Sequence, residues 1–341
     1  MKPAGLDHDF FIIGENIHTT RVVLLKGKLV DQLPGGEEAV RYTDAEGQVR
    51  HLVIPESMKS RQDYQEGRVK HVMIAVRQAM AGDEEGLRYL RALIHRQIEA
   101  GSDFLDLNVD EISLKLNDQI EAIEWLVRMV ETHSSVPVAV DSSNLDIIRA
   151  GIAASQARCG PPMLNSASLE RMEALDLAAS RGLAVMVTAA GERGMPQDAA
   201  ERVANASRMV DAALTKGIAK HQIYIDPLVF PIAVDSQYGL HCLDAIRTLR
   251  EKYGPEIHIS GGLSNVSFGI PVRKLVNEAF IHLAVEAGAD GGIVDPVANN
   301  FHQLFLADKT TRPYQLAVDM LLGRDRNCKA YLRAYRKGEL G

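Results

Sequence analysis

Eight times along this chain a short apolar run ends in polar residues or glycine, and a stretch with helical spacing precedes the next run. The runs are 10–16, 104–109, 136–142, 163–166, 183–188, 223–227, 257–262 and 291–296. Each is short enough to be one buried strand. Apolar residues recur at helical spacing over 70–100, 120–130, 199–216, 240–252 and 275–287, and Asn144 and Ser168 read as N-caps of two further helices. Gly101, Gly182, Gly217 and Gly288 stand where helices end and strands follow, the place for a left-handed C-cap. Strict alternation of this kind requires parallel strands with crossover helices, and eight repeats close naturally into a (β/α)8 TIM barrel. A doubly wound sheet is the fallback, but Gly14-Glu15-Asn16 after the first run is not a dinucleotide fingerprint.

One segment breaks the rhythm. Residues 19–66 lie between the first strand and its helix, far beyond an ordinary βα loop. Within them 21–30 and 39–54 read as β-hairpin material, with Asp44–Gly47 as the turn. The expectation is a single barrel domain, 1–341, with this insertion near its mouth and extra C-terminal helices over 300–341. The formal net charge of −7, with basic residues scattered, argues against a nucleic-acid surface. The N-terminus has no signal-peptide core and no run approaches membrane-spanning length, so no membrane partner is expected. Three cysteines without paired spacing fit a reducing, cytoplasmic location and offer no zinc set.

The polar residues closing the runs are Glu15, Asn16, Asp106, Asn108, Asp141, Asn165, Asp226, Asn265 and Asp295. Taken singly, each is more often a helix cap or turn former than a ligand contact. Gathered at one barrel mouth, carboxylates and amides suit a heterocycle rich in N–H donors and ring acceptors, since a carboxylate accepts two parallel N–H bonds from an amidine-like edge. No lysine stands at a strand end for Schiff-base chemistry, and the histidines are dispersed, so no bound metal is predicted. His258, inside a strand, reads as a satisfied core residue. Gly261-Gly262 before Ser264 and Asn265 permits close backbone approach, and Pro271 reads as opening the next helix.

Gly14–Asn16, Leu105–Val109, Val140–Asn144, Leu164–Ser166, Tyr224–Leu228 and Gly262–Ser267 together resemble, in order, the motifs of the pterin-binding methyltransferases. These include the methyltetrahydrofolate:corrinoid/iron–sulfur protein methyltransferases and the folate domain of cobalamin-dependent methionine synthase. The resemblance runs from about residue 10 to about residue 300, and the family fold is a (β/α)8 barrel. It implies pterin-binding roles for Asp141, Asn165 and Asp226, and places Asn265 near N5, the methyl-bearing nitrogen. It makes Glu15, Asp106 and Asn108 pocket-lining residues, and Gly262, Ser264 and Arg273 the loop and helix around the folate. Asp295 and the C-terminal helices receive no role from it.

The implied reaction moves a methyl group between N5 of tetrahydrofolate and the cobalt of a corrinoid, with the direction open. The chain has no Asp-x-His-x-x-Gly corrinoid motif, so the cobalamin is expected on a partner protein, with insertion 19–66 a candidate docking element. Family members are commonly homodimers. A folate-binding barrel without corrinoid-dependent catalysis is the rival reading. Dihydropteroate synthases share the fold, but their lysine-ended loop after strand six and Ser-Arg-Lys run after strand seven are replaced here by Asp226–Pro231 and Ser264–Phe268.

Overall fold

Runs of β-branched and aliphatic residues four to eight long form strands when both faces are covered by helices, and that is how this sequence is arranged. The computed structural model describes residues 1–340; Gly341, the last residue of the expected C-terminal extension, lies outside the described residues. The barrel strands are β1 (Phe11–His18), β2 (Phe104–Asn108), β3 (Val138–Asp141), β4 (Met163–Ala167), β5 (Ala184–Thr188), β6 (Ile223–Asp226), β7 (His258–Ile259) and β8 (Gly291–Val294). They form one eight-stranded sheet in the order β7-β6-β5-β4-β3-β2-β1-β8. Its two end strands are joined as well: the amide of Asp290 donates to the carbonyl of Ile259 at 3.1 Å, and that of Ile293 to Gly261 at 2.8 Å. The sheet therefore closes on itself as the expected TIM barrel. Among the described residues no helix is long and apolar enough to cross a membrane.

By chain contacts the molecule divides into two compact units, Gly14–Met163 and Met1–Ile13 with Leu164–Gly341. In the first unit the expected helix over 70–100 is two helices, α1 (His71–Met80) and α2 (Glu84–Glu99). Asp83 breaks it: its carboxylate accepts from the amides of Glu85 and Gly86, an N-cap that periodicity alone does not reveal. Helix α3 (Leu116–His133) and α4 (Leu145–Ala154) follow, and Asn144 caps α4 as expected by accepting from the amide of Asp146. The insertion holds a three-stranded antiparallel sheet, Val30–Gln32, Glu38–Thr43 and Val49–Val53. Its turn is built on Asp44, which accepts from the amides of Glu46 and Gln48. Val23–Leu24 does not join this sheet; it pairs with Arg68–Val69, so the inserted structure runs past residue 66. Tyr42 packs edge-on against Tyr89 at 4.7 Å between ring centres, and its hydroxyl bonds Glu85, which fastens the sheet to α2.

The second unit carries α5 (Glu173–Arg181), α6 (Ala199–Thr215), α7 (Tyr238–Tyr253), α8 (Arg273–Ala287), α9 (Arg312–Leu321) and α10 (Lys329–Arg336). Two expected helix starts move. Ser168 lies before a turn and α5 begins five residues later; Pro271 stands outside α8, whose N-cap Val272 is left-handed at φ 52°. The C-terminal helices are structural. Phe301 stacks on Phe10 at 5.4 Å, and the buried Tyr331 donates its hydroxyl to the carbonyl of Pro271 at 3.1 Å, bracing the loop that follows β7.

Closure is concentrated on one acid at the amino end of β8. Asp290 accepts from the amide of Ile259 at 2.7 Å and from Arg250 Nη2 at 2.9 Å, and lies 2.8 Å from His258 Nδ1; its carbonyl accepts from the amide of Phe11 at 2.8 Å. His258 is thus the satisfied residue expected. The same Arg250 donates to the carbonyls of Gly288, Gly254 and Ile257. Removing one partner of a largely buried charge pair strands the other. Asp290→Ala is therefore expected to cost on the order of 3 kcal/mol in urea unfolding; a loss below about 1 kcal/mol, the range of an exposed pair, contradicts the closure role.

Candidate functional site

Active sites of barrels of this type lie at the carboxyl ends of the strands, and the strand-end residues of each unit are described in turn. In the first unit, His18 ends β1, Asp106 and Asn108 lie in β2, and Asp141 ends β3. His18 Nε2 is 3.0 Å from Oδ2 of Asp106, which is only 1% exposed. The Asn108 amide donates to Oδ2 of Asp141 at 2.9 Å. The nearest donor atoms of His18, Asp106 and Asp141 all lie within 4.8 Å of one another.

Burial pulls the His18 imidazolium down, but the hydrogen bond and charge of Asp106, with the charges of Asp141 and Glu15, outweigh it and hold the pKa above the ordinary value. Asp141 is pushed up to about 7, by desolvation first and by the charge of Asp106 second; His18 and the Asn108 amide oppose the rise. His18 is the basic side chain of this cluster. Glu15 is 3.5 Å from Arg21 Nη1, and the backbone amide of Asn16 donates to Oε1 of the buried Gln97 at 3.0 Å.

Asp110, which the sequence did not single out, fixes the loop after β3. It accepts from the hydroxyl of Ser142 at 2.5 Å and from both the amide and hydroxyl of Ser143 at 3.0 Å. Its own amide donates to Asn108 at 3.0 Å. Asn108 and Asp110 together set the position of Asp141.

In the second unit, Asn165 lies in β4 and is 5% exposed, and Asp226 ends β6. Asp226 accepts from the amide of Leu228 at 2.8 Å. Desolvation pushes it up to about 6, against the Leu228 bond and the charge of Arg202. The loop after β7 is shaped around this acid. Gly261 sits at φ 119°, and a Cβ there would stand 2.3 Å from Oδ1 of Asp226; a Cβ on Gly262 would stand 2.7 Å from the Asn265 amide nitrogen. Only glycines allow so close an approach. Asn265 lies in a 3-10 segment, Leu263–Ser267, and its backbone amide donates to the carbonyl of Gly262 at 3.0 Å.

Arg273, expected around the folate, braces the loop. It donates to the carbonyl of Ser264 at 3.0 Å and to the Ser267 hydroxyl at 2.9 Å, and stacks on Phe268 at 4.3 Å. The buried Ser264 hydroxyl has no hydrogen-bond partner among the described residues. Asp295 caps its own turn, accepting from the amides of Val297 and Ala298. Arg202, unremarked in the sequence, is fully buried; it donates to the carbonyls of Leu228 and Asp198 and lies over the Phe230 ring at 4.7 Å. It holds the loop that follows Asp226.

The family model described as pterin binding enzyme matches residues 80–295. A methylcorrinoid:tetrahydrofolate methyltransferase of Eubacterium limosum is 30% identical over 268 residues, which cover 76% of this chain and 91% of that relative. Methionine synthase of Mycobacterium leprae is 30% identical over 213 residues, 58% of this chain but only 17% of that longer protein. Among solved structures, a dihydropteroate synthase of Stenotrophomonas maltophilia superposes with a TM-score of 0.53 over 65% of this chain and 86% of its own, at 22% identity. That last likeness shows a shared fold alone.

The raised acids have a consequence for stability. A carboxyl whose folded pKa lies near 7, against an ordinary 3.8, contributes stability in acid that is progressively lost as pH rises to about 7. Asp141→Asn keeps an acceptor for Asn108 and removes the charge. Its melting temperature should exceed that of the native chain at pH 8, with the gap closing as pH falls toward 4. A gap that is absent at pH 8, or that widens in acid, contradicts the assignment.

Proposed function

The chain belongs to the pterin-binding enzyme family and is a methyltransferase, and on that premise we propose that it moves a methyl group between N5 of tetrahydrofolate and the cobalt of a corrinoid carried by a partner protein. The observation that carries this reading is the set of side chains on the strands: Asp141 and Asp226 close β3 and β6, Asn165 lies within β4, and Asn265 follows β7. Asp141 and Asp226 accept the N–H groups of the pterin, and Asn165 offers both donor and acceptor to its lactam edge. Glu15, Asp106 and Asn108 line the same ligand, with Asn108 steadying Asp141.

N5 of tetrahydrofolate is a poor leaving group, so charge developing on it has to be met by a donor. Asn265 supplies a hydrogen bond there; it neither attacks nor gives up a proton, so the proton that N5 takes up as the methyl group leaves comes from water or an acid elsewhere. In the opposite direction N5 is the nucleophile, and the residues' task is alignment. Gly262 lets the loop come close, Ser264 presents its hydroxyl, and Arg273 keeps the loop in place. The corrinoid supplies a metal centre that accepts or gives up the methyl group, and it arrives on another protein. The sheet at 30–53 is the element we assign to choosing that protein; because Tyr42 fastens it to α2, substitutions on its exposed Val49 test this better than deletion. A homodimer in the cytoplasm belongs to the same reading.

Asn265→Ala is expected to slow single-turnover transfer roughly a hundredfold, the scale of one lost transition-state donor, with methyltetrahydrofolate affinity changed much less in calorimetry. Asp141→Ala is expected to lose binding itself, because the ligand's N–H groups are left unpaired. Unchanged turnover in the asparagine variant removes Asn265 from the reaction. Binding by the native chain without any change in the cobalt spectrum of an added corrinoid protein favours a non-catalytic folate-binding barrel.

A further inference from the structure

Among the described residues His18 is the one histidine that ends a barrel strand among acids, and the proposed reaction leaves it without a task. We infer that His18, held as an imidazolium by Asp106, is a positioning residue that keeps Asp141 ionised for the ligand, and so sets the lowest pH at which the enzyme takes up its pterin. This rests on the proposed function, because it names what tunes one of the groups assigned there to the pterin.

An acid that accepts two parallel N–H bonds has to be a carboxylate; once protonated it presents a donor to a donor, and one of the two bonds is lost. Asp141 is placed badly for ionisation. It ends a strand beside the buried Asp106, with Asp110 two residues beyond Asn108 on the same segment. Two carboxylates in one such site resist carrying two charges.

Among the groups facing this cluster, Asp110 is occupied by Ser142 and Ser143, and Glu15 by Arg21. Asn108 gives Asp141 a neutral hydrogen bond at 2.9 Å. The imidazole ring of His18 is the basic group whose nitrogen lies within 4.8 Å of oxygens of both Asp106 and Asp141. Its 3.0 Å approach to Asp106 fixes the ring, so the charge stays beside Asp141 instead of swinging away. A bare structural pair explains the Asp106 contact but predicts no effect on Asp141. The inference predicts one.

The test is the pH dependence of methyltetrahydrofolate binding, measured by calorimetry from pH 5.5 to 9 on the native chain and on His18→Gln. Glutamine places an N–H donor near where Nε2 stands and retains the bond to Asp106, but carries no charge. The native chain measured alongside cancels the ligand's own titration. The expected result is an acid limb displaced upward by about one pH unit, as for loss of an opposite charge at this range. Affinity is then about tenfold weaker below the limb and converges with the native value at pH 9.

Superimposable profiles, or a weakening equal at every pH, overturn the inference. A native chain that binds no folate at any pH instead overturns the proposed function. Where His18→Gln fails to fold, nitrogen-15 spectra of the native histidines decide. The ring of His18 should remain an imidazolium through pH 7, and a neutral ring there overturns the inference.

Discussion

Everything at the strand carboxyl ends depends on a contact at their amino ends. Asp290 takes an amide bond from Ile259, an ion pair with Arg250 and a contact with His258, while its own backbone joins β8 to β7 and β1. A sheet closes only when its last strand finds its first, and closure is costly in chain entropy until that pairing forms. Concentrating it on a half-buried acid with several partners frees the opposite ends of the strands from holding the barrel shut. Those ends can then carry groups that are poor for stability.

They do carry such groups. Asp141 and Asp226 are both pushed up by desolvation, to about 7 and about 6, and neither has an arginine or lysine in ion-pair contact with its carboxylate among the described residues. A chain selected only for stability has little use for two acids whose ionisation burial opposes. They become favourable when a ligand supplies N–H donors. The parts around them serve placement: Asn108 and Asp110 on the β3 side, Arg202 under the loop after Asp226, and Gly261 and Gly262 where a side chain would strike Asp226 or Asn265. The C-terminal helices join this support through Tyr331 and Pro271.

The architecture was legible because strand and helix periods are local properties of the sequence. All eight strands stand where their apolar runs are, and Asn144, Gly101, Gly182, Gly217 and Gly288 cap as their chemistry dictates. Local reading failed where a distant contact decides. Asp83 splits a continuous periodic stretch, Ser168 and Pro271 mark turns rather than helix starts, and Val23–Leu24 finds a partner over forty residues away. The strand-end acids and amides were visible from position alone. His18 was not: it was grouped with scattered histidines, although it lies two residues beyond Asn16 at the end of the same strand. Arg202 and Asp290 left no local trace, since an arginine in an amphipathic helix and an acid before a strand are ordinary until their burial is known. Arg273, expected in the loop and helix around the folate, also bonds Ser264 and Ser267, contacts that spacing in the sequence does not show.

The central claim is that these strand ends hold a methylated pterin while its methyl group passes to or from cobalt. The most direct measurement gives the enzyme tetrahydrofolate labelled with carbon-13 in the N5-methyl group, together with a reduced corrinoid protein, and follows the methyl resonance. The account predicts that the label leaves the folate signal and appears at the chemical shift of a cobalt-bound methyl, at a rate proportional to enzyme. A label that remains on the folate while the folate is demonstrably bound contradicts it.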